Sequence, residues 1–192
     1  MHGSTQRHAR WGLAPLLAAL ALFGWVREAA AAVPEYELKA VLIYKVAKFV
    51  RWPEGTFVAG SPGMHLCIVG RDDFGASLDA LAGQKLKDQV ISVRRLPGTA
   101  PDAAGCQIVF VSRSERDNVA AVLAELASLP VLTISDIEGF AGDGGMIEFA
   151  TDGTTIHFVI NAAASRRTGL EIGAQLLQLA TLIADSRPGN KP

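Results

Sequence analysis

Three short apolar runs constrain this chain more than any other feature. MHLCIVG (Met64 to Gly70), CQIVFV (Cys106 to Val111) and VLTIS (Val131 to Ser135) each read as a short, mostly apolar strand. Val90 to Leu96 alternates and reads as a strand with one polar side. Helical patterns lie between them. DDFGASLDALAG predicts a helix capped near Asp72 and ended by Gly83. Ser112 to Leu129 predicts another, with Ser112 and Glu115 at capping-box spacing. Val119, Val122, Leu123 and Leu126 fall on one face of it. This order of elements predicts a single α/β domain, a mixed β-sheet flanked by helices on both faces.

The flanks add to that frame. Glu35 to Val50 reads as a first helix, with Leu38, Leu42, Val46 and Phe49 as its buried stripe. Lys39, Lys45 and Lys48 lie off that stripe and read as solvated. Val41, Tyr44 and Trp52 add apolar bulk, which suits a helix inside a domain core or an oligomer interface. Pro53 stops this helix. After VLTIS a late antiparallel hairpin is expected, with strands Met146 to Ala150 and Thr154 to Ile160 and Asp152-Gly153 at the turn. A helical stretch from about Ala162 to Ala184 follows, divided near Gly169.

The first 32 residues read as a cleaved signal peptide. Arg7 and Arg10 make a positive start, Trp11 to Val26 is mostly apolar, and Ala30 to Ala32 fit an A-x-A exit. The apolar run is short for a membrane span. The domain then covers 33–185, and 186–192 is a flexible tail. Without Arg7, Arg10, Arg27 and Glu28, the 18 basic and 19 acidic residues become 15 and 18. That slight acidity gives nucleic acid no basic face to bind.

Cys67 and Cys106 are the two cysteines. An even pair in an exported chain suggests a disulfide; two buried thiols are the other reading. A bridge closing about 39 residues contributes roughly 4 kcal/mol in the chain-entropy model. In a doubly wound sheet the strands at Met64 and Cys106 lie side by side, which would place both thiols within reach.

Chemistry-bearing residues are sparse. His65 and His157 have no second His or Cys at ligand spacing, and read as polar residues on strands. VGRDDFG matches no nucleotide-binding pattern, so Asp72 reads as a helix cap. Ser112, Ser114 and Ser135 end strands without a nucleophile context, and capping accounts for them. Asp136, Glu138, Glu148 and Asp152 are carboxylates that spacing alone cannot pair. Gly142, Gly144 and Gly145 around Asp143 read as a tight connection into the hairpin. Arg166 and Arg167 read as a solvated face. No catalytic, cofactor or metal site is expected, and the chain does not read as an enzyme.

Five segments together resemble one family. They are YELKAVLIYKVAKFVRWP (with Tyr44, Lys48, Phe49, Trp52 and Pro53), LCIVGRDDFG, AGCQIVFVSRSE, LTISDIEGFAGDGGMIEF and IHFVINAAASRRTGLEIGAQLLQLA. Ser135, Asp136, Gly139, Phe140, Gly144, Gly145 and Met146 make the fourth the most specific; Asn161, Arg167, Leu176 and Leu177 mark the fifth. The chain resembles the YfiR/HmsC family (DUF4154) over about Glu35 to Ile183. The resemblance implies a periplasmic α/β protein, with dimers known, that binds the sensor region of an inner-membrane diguanylate cyclase. Such binding lowers cyclic-di-GMP output and biofilm formation. Cys67 and Cys106 match one family disulfide; a second cysteine pair carried by some members is missing here. A periplasmic small-ligand module feeding a membrane sensor kinase, with its ligand near Asp72 and Ser135, is the alternative.

Overall fold

The computed structural model describes residues 34–57, 63–96, 98 and 103–184. The expected export segment, 1–32, and the tail, 186–192, lie outside the described residues. In chain order the elements are α1 (Glu35–Lys48), β1 (Val50–Arg51), β2 (Met64–Val69), α2 (Ala76–Asp79), β3 (Lys85–Leu86) and β4 (Gln89–Leu96). Then come β5 (Ile108–Val111), α3 (Val119–Leu126), β6 (Leu132–Ser135), β7 (Ile147–Asp152) and β8 (Thr155–Ile160). The last are α4 (Ala162–Arg167), β9 (Glu171–Ile172), α5 (Ala174–Gln178) and β10 (Ala180–Leu182). A 3-10 turn, Arg113–Asn118, leads into α3.

Eight strands form one sheet in the order β10-β8-β7-β6-β5-β2-β4-β3. The block β4-β2-β5-β6-β7 is parallel. β8 returns antiparallel to β7, and β10 runs parallel to β8. Strand order therefore reverses between β2 and β5, the topological switch point of a doubly wound sheet. Strands buried on both faces favour apolar side chains on both, which is why β2, β5 and β6 read as mostly apolar runs, with the buried Thr133 and Ser135 of β6 hydrogen-bonded. On one face Leu66, Ile68, Ile108 and Phe110 pack beneath Ala40, Ile43 and Val46 of α1. On the other, Cys67, Val69, Val109 and Val111 pack against Val119, Val122, Leu123 and Leu126 of α3. Cys67 and Cys106 are bridged by a disulfide between neighbouring strand lanes, with Cα atoms 6.0 Å apart.

Four expectations are corrected. The buried stripe of α1 is turned toward Lys39, Ala40, Ile43, Val46 and Ala47. Leu38 and Leu42 are half-buried and Phe49 is exposed. Two alanines on the inward face let the helix lie close to the sheet. The segment at Asp72 to Gly83 holds only the four-residue α2, because turns occupy Ala80 to Gly83. The hairpin turn is Gly153-Thr154, one residue later than expected, since Asp152 pairs with Thr155. The long closing helix is instead α4, β9, α5 and β10. Gly169 (φ +77°) ends α4 with amide bonds from Gly169 to Arg166 and from Leu170 to Ser165, the Schellman pattern. Gly173 then donates to the Phe49 carbonyl at 2.7 Å, where β9 pairs with β1.

Candidate functional site at the carboxyl ends of the strands

β6 ends at Ser135, whose buried hydroxyl donates to the Val111 carbonyl (2.7 Å) and accepts from the Ile137 amide (3.0 Å). This double bond ties the ends of β5 and β6 together and fixes the turn carrying Asp136. The Asp136 side chain has no exposed surface. Its Oδ2 accepts from Lys39 Nζ at 2.5 Å and Tyr36 Oη at 3.0 Å, and forms an ion pair with Arg113, whose Nε lies 3.0 Å away and donates to the Asp136 backbone carbonyl at 3.5 Å. Lys39 Nζ also pairs with Glu35, one helical turn earlier, and Arg113 Nη2 reaches the same carboxylate at 3.1 Å. Oδ1 of Asp136 accepts no hydrogen bond among the described residues.

Two cations and two anions thus neutralise one another where α1 crosses the strand ends. The Lys39 hydrogen bond holds the Glu35 carboxyl below the usual carboxylate range. Burial, helped by Asp136, pushes the Tyr36 phenol well above its ordinary value, so it stays a donor. The Tyr36 ring stands edge-on to Phe74 (5.0 Å), and Phe74 to Phe110 (4.7 Å), joining the charged group to the core. A lysine held between two carboxylates is no nucleophile. The arrangement pins α1 to β5 and β6 rather than moving protons.

The switch point itself is filled. Ser114 Oγ accepts from the Arg71 amide (2.9 Å) and donates to Glu115, which is buried. A Cβ on Gly70 would come within 2.4 Å of Ser114 Oγ, and one on Gly98 within 2.6 Å of Glu115 Oε1. Asp72 does not cap α2 as expected, since Gly75 holds the N-cap position without a side-chain bond; its carboxylate accepts instead from the preceding amides of Phe74 (2.8 Å) and Gly75 (3.3 Å) and binds Arg95 at 2.7 Å. Asp72 and Ser135, linked in the small-ligand expectation, are each committed to holding local backbone.

The expected capping box does not close. Ser112 Oγ accepts from the Ser114 amide (3.3 Å), but the Ser112 amide donates to the Val69 carbonyl instead of to Glu115. The glycine-rich stretch is a packed connection. Glu148 accepts from the amides of Gly139 and Ala141, both at 3.2 Å. Gly145 lies against the Phe140 ring, 2.2 Å from where a Cβ would stand. Asn161 donates to the Ala141 carbonyl (3.0 Å) and caps α4 at Ala164 (3.0 Å). His157 is exposed, and His65 Nδ1 sits 2.5 Å from Ser92 Oγ. Asp143, Asp152, Arg166, Arg167, Lys45 and Lys48 are exposed. Among the described residues no group of three His, Cys, Asp or Glu could hold a metal ion.

Of the residues singled out from sequence, Asp136 becomes the hub, and Lys39, expected on a solvated face, is fully buried against it. Tyr36 and Arg113 went unnoticed. The signal available was local: Glu35 and Lys39 stand at ion-pair spacing on one helical face. Beside this group lies a cavity of about 450 Å³, lined by Arg113, Arg116, Asp136, Glu138, Glu148 and Phe149–Thr151. A second cavity of about 410 Å³ lies at Lys48, Arg51, Lys87 and Glu171. The YfiR/HmsC-like family model (DUF4154) matches residues 36–181, which takes in Tyr36, Lys39, Arg113 and Asp136 of the charged group and both cavities, and the chain belongs to that family.

Proposed function

We propose that this protein is an exported, non-catalytic regulator. It acts in the periplasm on the outward-facing sensor region of an inner-membrane diguanylate cyclase, lowering cyclic-di-GMP output and restraining biofilm formation. The family match over residues 36–181 carries this reading. Two features of the molecule support it. The Cys67–Cys106 bridge suits an oxidising compartment. α1 and its end leave Val41 and Phe49 exposed, apolar surface suited to contact with a partner domain or a second copy.

Deleting the gene tests the reading. Cyclic-di-GMP and biofilm rise in the deletion strain and return on complementation with the exported protein. A pull-down from solubilised membranes, with the domain as bait, recovers a transmembrane cyclase. Unchanged cyclic-di-GMP in the deletion strain refutes it. The second reading, a small-ligand module feeding a sensor kinase, is favoured by the 450 Å³ cavity, a size that suits a small molecule. Recovery of a sensor kinase in the same pull-down would select it.

A further inference from the structure

β7 outruns its neighbour. β6 pairs with β7 only through Ile134–Ile147 and Ser135–Glu148, after which the chain turns away at Asp136. β7 continues through Phe149, Ala150, Thr151 and Asp152, paired with β8 alone. β5 ends level with β6, since Val111 pairs with Ser135, and the 3-10 turn Arg113–Asn118 follows. The lane beyond Ser135 is therefore an opening between β7 and the turn carrying Arg113 and Arg116. The 450 Å³ cavity occupies it.

The edge of this opening has a defined polarity. In an antiparallel pair, alternate residues spend both backbone groups on the partner, and those between point both groups the other way. The Asn161 amide donates to the Met146 carbonyl, and the hairpin closes at Asp152 and Thr155. Both mark even-numbered β7 residues as bonded to β8. The Ser135–Glu148 pairing takes the Phe149 amide to the Ser135 carbonyl, so the Phe149 carbonyl and both the N–H and the C=O of Thr151 face the lane. The four β7 residues beyond the last pairing with β6, at about 3.3 Å each, make an edge of roughly 13 Å, the length of three or four residues of extended chain.

Two charges at the cavity are uncommitted. Arg113 is held by Asp136 and Glu35, and Glu148 by two loop amides. Arg116 and Glu138 have no ion pair or hydrogen bond among the described residues. Asp136 also lines the cavity and keeps one oxygen without a donor. A backbone edge with alternating donors and acceptors, one free guanidinium and one free carboxylate fit a single ligand chemistry. We propose that the lane beyond β6 binds a short free peptide of about three residues. The peptide adds to β7 as an extended strand, with its terminal carboxylate at Arg116 and its terminal ammonium at Glu138. Strand addition supplies affinity through main-chain bonds and leaves side-chain identity weakly specified. The inference does not rest on the regulatory reading, and its test measures binding alone.

The test incubates the purified domain with an equimolar library of unmodified tripeptides and identifies those retained by mass spectrometry. Retention is expected, with amide protection rising at Thr151 in hydrogen exchange. Arg116→Ala, which breaks no side-chain hydrogen bond or ion pair among the described residues, weakens retention at least about tenfold. Thr151→Pro removes a lane-facing N–H without taking a bond from β8, and proline favours an extended residue before it. It also abolishes retention. A library acetylated and amidated at its ends is not retained. No retention by the wild-type domain overturns the proposal, as does equal retention by Arg116→Ala. Equal retention of the blocked library overturns the free-peptide assignment and points to an internal segment of a protein.

Discussion

Lys39 Nζ stands 2.5 Å from Asp136 Oδ2, and neither side chain has any exposed surface. The residues are 97 positions apart, one on the first helix and one just past the fourth strand of the parallel block. Such a pair is costly to desolvate, and costlier to leave half-made. It makes the position of α1 depend on the ends of β5 and β6.

Lys39→Ala should therefore destabilise the domain by about 3–5 kcal/mol, because Asp136 would remain buried with its main partner gone. A paired Lys39→Met, Asp136→Leu replacement should recover a large part of that loss, since no charge is stranded. Urea unfolding followed by circular dichroism gives both values. A double variant as unstable as Lys39→Ala would show that the residues do not act as a pair.

The pH dependence follows from Tyr36. Its folded-state pKa is raised above the ordinary 10.0, so the folded protein holds this proton more tightly than the unfolded chain. The resulting stability is fully present below pH 10 and falls as pH rises beyond it. Glu35, with its pKa lowered from 4.5, contributes stability above that value, lost as pH falls through the lower folded value. Between pH 7 and 11 the urea midpoint of Tyr36→Phe should fall less than that of the wild type. At pH 7 the variant should be about 1 kcal/mol less stable, through the lost bond to Asp136. Parallel declines would contradict the assignment.

These features divide what the sequence exposes from what it hides. β2, β5 and β6 were legible because burial on both faces selects short, mostly apolar runs. The inward face of α3 was legible because four apolar residues recur at helical spacing. Lys39 was not, because amphipathic reading sends every lysine outward, and its partner comes from another element of the sheet. The closing segment was misread for a similar reason. AQLLQLATLIA has strong helical character, but Ala180–Leu182 gain a parallel strand partner in β8 that only the assembled sheet provides. Gly169 did carry a local signal, and the Schellman turn at that glycine honours it. The role of Asp136 could be guessed only as one carboxylate among several.

The disulfide gives a prediction independent of the charged group. Replacing Cys67 and Cys106 together by Ala should cost about 4 kcal/mol, the loop-closure value for a separation of 39 residues. Both positions are buried against α3, so the replacement also removes a little packing. Guanidinium unfolding of the variant, compared with wild type with and without reductant, gives the value. Equal midpoints for the variant and the oxidised wild type would mean that the bridge adds nothing.

The glycine-rich connection gives the last prediction. A Cβ at Gly145 would stand 2.2 Å from the Phe140 ring, closer than any real contact, while Phe140 is fully buried in the α3-side cluster. Gly145→Ala must displace that ring or the loop held by Glu148 and Asn161, and should cost about 1–3 kcal/mol or more. Shrinking the ring should relieve the clash. Phe140→Leu alone should cost a few kcal/mol for lost packing, yet Gly145→Ala added to it should cost much less than in the wild type. The coupling is read from a double-mutant cycle of thermal or urea unfolding. Strict additivity would place the strain of Gly145→Ala in the loop backbone rather than against Phe140.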